Sequence, residues 1–205
     1  MNIYNQQIKN KFKILEAALL LGVIISVFFT ICGFKVKCED ISQKVLRLHV
    51  IANSNSAEDQ ELKLKVRDNI LKYSENLMNS VDDKEHAENI LTDNLSQIEL
   101  VAKNTVYENG FTYPINAEIV NMYFTTRNYE NVTLPAGNYD AIRITIGEAK
   151  GKNWWCVMFP PMCLPAAENS KELASVLNDD ELSIVENSNK YEIRFKIVEI
   201  LEKLK

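Results

Sequence analysis

The sequence lacks the closely spaced ligands that hold metal ions in many proteins. It contains only two histidines, His49 and His86, which lie 37 positions apart, and it has no H-x-x-x-H or C-x-x-C motif. Zinc sites draw on motifs of this kind, so we expect neither a metal site nor a cofactor.

A complete phosphate-binding loop is also missing. Residues 147–153, GEAKGKN, have three residues between the glycines instead of four, and Asn153 stands where Ser or Thr must meet magnesium. The residues that follow predict a strand rather than a helix. We therefore interpret this segment as a hairpin loop between two strands.

Basic runs with interleaved aromatic residues, which are typical of nucleic-acid-binding proteins, do not occur either. Of 23 basic and 28 acidic residues, five lysines and Glu16 lie within residues 1–38, which leaves 18 basic and 27 acidic residues in the remainder. The net charge of the remainder is therefore about −9. This charge disfavours binding to nucleic acid or to anionic lipid.

What the chain does contain is a long apolar segment near its start. Residues 17–34 carry no charge, three lysines precede them and two lysines follow. As a helix, these 18 residues span about 27 Å, close to the ~30 Å of a bilayer core. The pattern predicts a membrane-targeting segment whose short N-terminal side stays in the cytoplasm.

The sequence leaves two alternatives for this segment, cleavage or retention. Thr30-Ile31-Cys32 before Gly33 fits a signal-peptidase site only in part, because small residues are required at positions −3 and −1. Lysines on both sides suit an uncleaved anchor, which we favour. The expected organisation is a cytoplasmic stub (1–13), a signal or anchor helix (14–37), a linker (38–44) and one extracytoplasmic domain (45–205).

The domain has the pattern of an α+β fold. Leu46, Leu48 and Val50 alternate with Arg47 and His49, which predicts a strand with one buried face. Apolar stripes predict two long helices, over 62–77 and 82–106. Strands are predicted at 113–124, 138–146 and 154–159, and the last of these is expected to be the third strand of a meander. Residues 191–204 fit a helix, although a strand fits their first positions. We expect a mainly antiparallel sheet packed by two long helices and a C-terminal helix.

Cys156 and Cys163 are candidates for a disulfide. Outside the cytoplasm, two cysteines seven positions apart pair with each other more often than they act singly. Free structural thiols are one alternative. Another is a cysteine nucleophile with His49 as its base.

Trp154 and Trp155 point to opposite faces if they lie in a strand. One of them should then pack in the core while the other lies nearer to the surface, where tryptophan is a common interface anchor. The alternative is that the C-terminal helix covers both.

Two stretches resemble a known family. The first is LRLHVIANSNS at residues 46–56, and the second is GKNWWCVMFPPMC at residues 151–163. Together with NVTLPAG at residues 131–137, they resemble the stage II sporulation protein R family of endospore-forming bacteria. The resemblance extends over residues 45–165.

This resemblance implies an exported signal rather than an enzyme. Members of the family are made in the forespore and exported into the space between forespore and mother cell. There they activate a membrane-embedded aspartic protease of the mother-cell membrane, which removes the pro-sequence of sigma-E. No catalytic residues carry over, and an exported hydrolase acting on cell-wall material is the alternative function.

A signal needs only a surface that favours the active state of its partner. We expect that surface at strand ends and loops. The candidate receptor-contact residues are Arg47, His49, Asn53, Lys150, Lys152, Asn153, Trp154 and Trp155. A structural role is the alternative for each of them.

Overall fold

A computed structural model describes residues 2–78, 81–129, 131–162 and 169–204. Its helices are α1 (Asn2–Gln43), α2 (Ala57–Met78), α3 (Lys84–Asp93), α4 (Leu95–Glu108), α5 (Asn169–Ala174), α6 (Asp179–Glu186) and α7 (Ser188–Lys203). Its strands are β1 (Leu46–Ile51), β2 (Ile115–Phe124), β3 (Arg127–Tyr129), β4 (Val132–Leu134), β5 (Gly137–Ile146) and β6 (Asn153–Phe159). These elements confirm the predicted α+β class, and the C-terminal segment is a helix rather than a strand.

β1 is an inner strand of a four-stranded sheet whose order is β2-β5-β1-β6. It pairs parallel with β5, where Leu48 lies opposite Ile142, and antiparallel with β6, where Leu48 lies opposite Cys156. The predicted meander is wrong in its last step, because β1 lies between β5 and β6. Both faces of β1 are buried, as is typical of an inner strand.

One face of the sheet packs against α2, α3 and α4. The even-numbered residues of β1, including Leu48 and Val50, join Val66 of α2 and Ile98 of α4 in one buried cluster. Burying apolar area of this kind is the main favourable contribution to folding. We call this cluster the first core.

Residues 82–106, predicted as one helix, form two helices that meet at Asn94. Its side-chain amide donates to the Ile90 carbonyl at 2.8 Å, and its oxygen accepts from the Tyr73 hydroxyl at 3.3 Å. Ala87 and Ile98, on either side of the break, both remain buried in the first core. The apolar stripe therefore continues across Asn94 although the helix does not.

The opposite face of the sheet is covered by the C-terminal turns of α1 together with α6, α7 and the β3–β4 hairpin. Phe34, Cys38 and Ile41 lie on one side of α1, at spacings of four and three residues, and none is more than 5% exposed. Residues 38–44, expected as a linker, thus continue the helix to Gln43 and form part of the domain. We call this side the second core.

The N-terminal part of α1 lies outside both cores. Leu19, Val23 and Phe28 are 64%, 61% and 61% exposed. In the part of the chain that the structure describes, α1 is the one helix whose length and composition would allow it to cross a membrane, over Lys11–Gln43. The apolar segment and the folded domain therefore share a single uninterrupted helix.

Candidate functional site

Two loops meet at the carboxyl end of β1. The first, residues 52–56, follows β1, and the second, residues 147–152, connects β5 to β6. Because β5 and β6 lie on either side of β1, the second loop crosses over its end and does not close the predicted hairpin. We call this pair of loops the loop clamp.

Two asparagine side chains hold the loop clamp together. Asn53 accepts a hydrogen bond from the Glu148 amide at 2.9 Å and donates one to the Asp59 carboxylate at 2.9 Å. Asn55 accepts a hydrogen bond from the Lys152 amide at 2.8 Å. These side chains satisfy backbone N–H groups that lie outside the ladders of the sheet. Asn53, a predicted contact residue, is thus already engaged within the chain.

Two glycines allow the loops to approach each other. The Gly151 amide donates to the Ala52 carbonyl at 2.9 Å, and a Cβ on Gly151 would lie only 2.7 Å from the Ser54 carbonyl carbon. Gly147 has a φ of +59°, and a Cβ there would lie 2.8 Å from the Asn53 Cγ. The contact between the loops therefore depends on glycine at both positions.

The lysines of this region differ in their surroundings. The Lys63 ammonium donates to the Lys152 carbonyl at 3.1 Å. Burial lowers the pKa of Lys63, and the charges of Arg67 and Lys152 lower it further. The side chains of Lys150 and Lys152 are exposed, and Lys150 pairs with Glu148 at 2.7 Å. The loop clamp thus presents two lysine ammonium groups to solvent.

Arg47 lies fully buried among aromatic rings in the second core. Its guanidinium carbon is 4.1 Å from the centroid of Phe124, 4.9 Å from that of Tyr139 and 5.7 Å from that of Tyr129. Nη2 donates to the Tyr129 hydroxyl, whereas Nε and Nη1 have no hydrogen-bond partner among the described residues. Cation–π attraction is strongest in such desolvated surroundings. This arginine–aromatic cluster of four residues ties β1 to β2, β3 and β5.

His49 is stacked on Trp155 beside the arginine–aromatic cluster. The two ring centroids are 3.8 Å apart, and the planes are inclined by 8°. The His49 Nε2 lies 3.0 Å from the Asn153 Oδ1, an acceptor, which assigns the proton to Nε2. Burial lowers the pKa of His49; the hydrogen bond with Asn153 opposes this, and the charges of Arg143 and Arg47 lower it further. The ring is therefore held neutral.

We expect acid to destabilise the unmodified chain more steeply than the His49→Gln variant. The pKa of His49 is lowered from its ordinary value of 6.5, so the unfolded chain binds the proton before the folded chain does. Stability is retained above about pH 6.5 and falls as the pH drops toward the folded pKa. Urea unfolding at a series of pH values gives the free energy of unfolding at each pH, and hence its slope against pH. His86→Gln, which replaces an exposed histidine of α3, is the control. Equal slopes for His49→Gln and the unmodified chain would contradict a neutral buried ring.

Trp154 and Trp155 point to opposite faces of β6, as the sequence predicts, and both are half-buried. The Arg67 guanidinium carbon lies 4.1 Å from the Trp154 ring, and that of Arg127 lies 5.3 Å from the Trp155 ring. Each indole is therefore partly covered by an arginine. Neither tryptophan stands free as a surface anchor.

The predicted contact residues on β1 differ in exposure from those at positions 150–153. Lys150, Lys152 and Asn153 are exposed, whereas Arg47 and His49 are 0% and 4% exposed. Arg47 and His49 therefore contribute to a contact surface only by positioning other residues. Receptor contact by the three exposed residues stays a prediction.

A nucleophile at Cys156 with His49 as its base is inconsistent with the sheet. Cys156 pairs with Leu48 and lies in the first core, whereas His49 pairs with Trp155 and lies on the opposite face. Neighbouring residues of a strand point to opposite sides, so the two side chains cannot meet. Cys163 lies outside the described residues, and its disulfide with Cys156 stays a prediction. Within the described ranges, no group of three or more His, Cys, Asp or Glu side chains is placed to hold a metal ion.

The sequence did not indicate the partners of Arg47. Phe124, Tyr129 and Tyr139 come from three different strands, and their proximity to Arg47 depends on how those strands fold over one another. The available signal was the presence of Arg47 and His49 in an otherwise apolar strand. Such residues, when inward-facing, require a polar or aromatic environment.

Comparison with known proteins gives two matches. Residues 42–169, more than half of the chain, match the family described as stage II sporulation protein R. The chain is also 37% identical over 123 residues to stage II sporulation protein R of Bacillus subtilis (strain 168). That match covers 60% of this chain and 55% of the relative, so the chain spans little more than half of the relative's length. No solved structure matches.

Proposed function

The chain belongs to the stage II sporulation protein R family, and from this premise we propose that it is an exported signal between two cells. It is made in the forespore and acts on a membrane-embedded aspartic protease of the mother-cell membrane. Activation of that protease leads to removal of the sigma-E pro-sequence. The observation that carries the proposal is the family match over residues 42–169, which includes β1, the loop clamp and β6.

The N-terminal helix supports export or anchoring. Its apolar side chains are exposed in the part that precedes Phe34, and it meets the length and composition of a membrane span. A bilayer would cover these side chains, which water does not solvate well. The helix would then place the domain directly beside the membrane, on its extracytoplasmic side.

The exposed side chains of the loop clamp form the proposed receptor-contact surface. Lys150 and Lys152 of the second loop, together with Asn153 at the start of β6, are exposed near the carboxyl end of β1, and several hydrogen bonds hold the two loops in place. A rigid surface loses little conformational entropy on binding, and exposed charges steer association. The surface would activate the protease by binding its active state more tightly than its inactive state.

Co-expression tests this proposal in a host that does not sporulate. The chain, the protease and pro-sigma-E are produced together, and processing is followed by the change in electrophoretic mobility of sigma-E. We expect processing with the unmodified chain. A reduction on the order of tenfold is expected for Lys150→Glu combined with Lys152→Glu, because reversed charges oppose steered association.

The matched control carries the same change of charge elsewhere on the domain. Lys72 and Lys103 are exposed on α2 and α4, away from the loop clamp, so Lys72→Glu combined with Lys103→Glu should leave processing unchanged. Unprocessed pro-sigma-E in the presence of a correctly inserted protease and the unmodified chain would refute the signalling function. Equal processing by the two double variants would refute the contact surface alone.

A further inference from the structure

Helix α7 carries an apolar stripe that no other part of the described chain covers. Ile193, Ile200 and Leu204 are 76%, 51% and 78% exposed, and Ile197 between them is half-buried. At about 100° per residue, these four side chains fall within an arc of about 60°. The buried residues of α7, Phe195 and Val198, point to the other side of the helix, into the second core.

The charged residues of α7 are sorted around this stripe. Lys190 and Arg194 border it on one side, and Lys196 and Lys203 border it on the other. The three glutamates of the helix lie at least about 80° away from the stripe. Glu199 pairs with Lys196 at 3.4 Å and with Lys203 at 2.9 Å, and Glu202 pairs with Lys35 at 3.0 Å. An apolar stripe between cations, with the acids turned away, is the pattern of a helix that lies in a membrane interface.

The contacts of α7 place it at the end of the domain that is nearest to the apolar segment. The Phe34 ring stacks with Tyr191 at 5.6 Å between centroids and meets Phe195 at 5.5 Å. The next residue of α1, Lys35, pairs with Glu202. Tyr191 and Glu202 are about 16 Å apart along α7. They nevertheless contact two consecutive residues of α1, Phe34 and Lys35 respectively. Helix α7 therefore crosses α1 at the point where the uncharged run ends.

We infer that α7 is a second membrane-contacting element, which lies in the interface of the bilayer that α1 enters. The apolar stripe contacts the acyl-chain boundary, and the bordering lysines and Arg194 contact anionic headgroups. This inference rests on the proposal that α1 spans a membrane. The net negative charge of the domain predicted poor binding to anionic lipid, but on α7 the acids face away from the proposed contact.

A second copy of the chain fits the stripe less well. The spacing of Ile193, Ile197, Ile200 and Leu204 is also that of a coiled-coil seam. In a symmetric dimer joined along this stripe, however, the lysines and Arg194 that border the stripe on one copy would lie close to those of the other copy. Like charges at those positions oppose pairing, whereas an anionic surface attracts them.

Photocrosslinking of the full chain in vesicles tests the inference. The probe is p-benzoylphenylalanine, placed singly at positions 193, 204, 28 and 107, in vesicles of phosphatidylcholine and phosphatidylglycerol in equal parts. Position 28 lies in the apolar part of α1, and Tyr107 is 77% exposed on α4, which packs on the other face of the sheet. We expect several-fold more lipid adduct at positions 193 and 204 than at position 107. We also expect a lower yield at both positions in pure phosphatidylcholine.

The outcomes separate this inference from the anchor proposal. In one outcome, position 28 forms lipid adducts, but positions 193 and 204 form no more than position 107 does. That result would overturn the inference and leave the anchor intact. Absence of lipid adducts at position 28 would overturn the anchor itself. Predominant crosslinks between two copies at 193 or 204 would assign the stripe to self-association. Equal lipid yields in the two vesicle types would overturn the role of the cations.

Discussion

Replacing Gly151 by alanine should lower the free energy of unfolding by about 2–3 kcal/mol. The added Cβ would lie 2.7 Å from the Ser54 carbonyl carbon and 2.8 Å from the Ala52 Cβ, so the two loops must separate. Separation removes the hydrogen bonds that the amides of Lys150 and Gly151 donate to backbone carbonyls, and it weakens the one from the Lys152 amide to Asn55. Each such bond contributes about 1 kcal/mol, which gives the expected total.

Urea unfolding of the full chain in detergent micelles, followed by tryptophan fluorescence, measures this effect. Gly110→Ala is the matched control, because Gly110 has a φ of +83° but, apart from its own chain neighbours, no described atom lies within 4 Å of its added Cβ. That variant meets only the backbone strain of a left-handed alanine, about 1–2 kcal/mol. A Gly151→Ala variant no less stable than Gly110→Ala would show that the loops are not in tight contact. If the proposed signalling function holds, the same variant should also lose protease activation, since the exposed lysines of the loop clamp would be displaced.

Phe34→Ala should destabilise the domain by about 3–5 kcal/mol, whereas Phe29→Ala should have almost no effect in detergent. The two residues lie five positions apart on one helix, but Phe34 is 5% exposed and Phe29 is 68% exposed. Truncation at position 34 leaves a cavity between α1 and α7, where Phe34 meets Tyr191 and Phe195. The same urea titration provides the measurement.

Equal stabilities of the two phenylalanine variants would mean that the end of α1 does not belong to the domain. The expected difference also bears on processing of the N-terminus. A cut before Phe34, such as the partial signal-peptidase site ending at Cys32, would leave the second core complete. A cut after Ile41 would remove Phe34, Cys38 and Ile41 from that core.

The sequence predicted the elements of the domain better than their arrangement. Strand β1 was recognised from the alternation of Leu46, Leu48 and Val50, because a period of two is a local property. Its insertion between β5 and β6 was not predicted, since pairing between distant strands leaves no local pattern. Arg47 and His49 made β1 resemble a strand with one buried face and one polar face, whereas aromatic partners from β2, β3, β5 and β6 cover the second face.

The boundary between membrane segment and domain shows a similar limit. Glu39 and Asp40, which follow the lysines at the end of the apolar run, indicate a polar linker when the sequence is read in order. On a helix, these residues lie beside a separate stripe of Phe34, Cys38 and Ile41, which is buried. For the candidate site, the contact residues were predicted from their expected positions at strand ends and loops, and their role in receptor contact stays a prediction. The asparagine and glycine roles became evident only from contacts between the two loops.

The uninterrupted course of α1 has a mechanical consequence. A domain joined to its anchor by a flexible linker can tumble and sample many orientations above a membrane. If α1 is the anchor, the domain has no such freedom where it joins the helix, because bending at Phe34 or Cys38 would break their packing in the second core. While α1 remains in a bilayer, each molecule would diffuse in two dimensions with one inclination. Its reach across an intermembrane gap would equal the height of the domain, with no added length of linker.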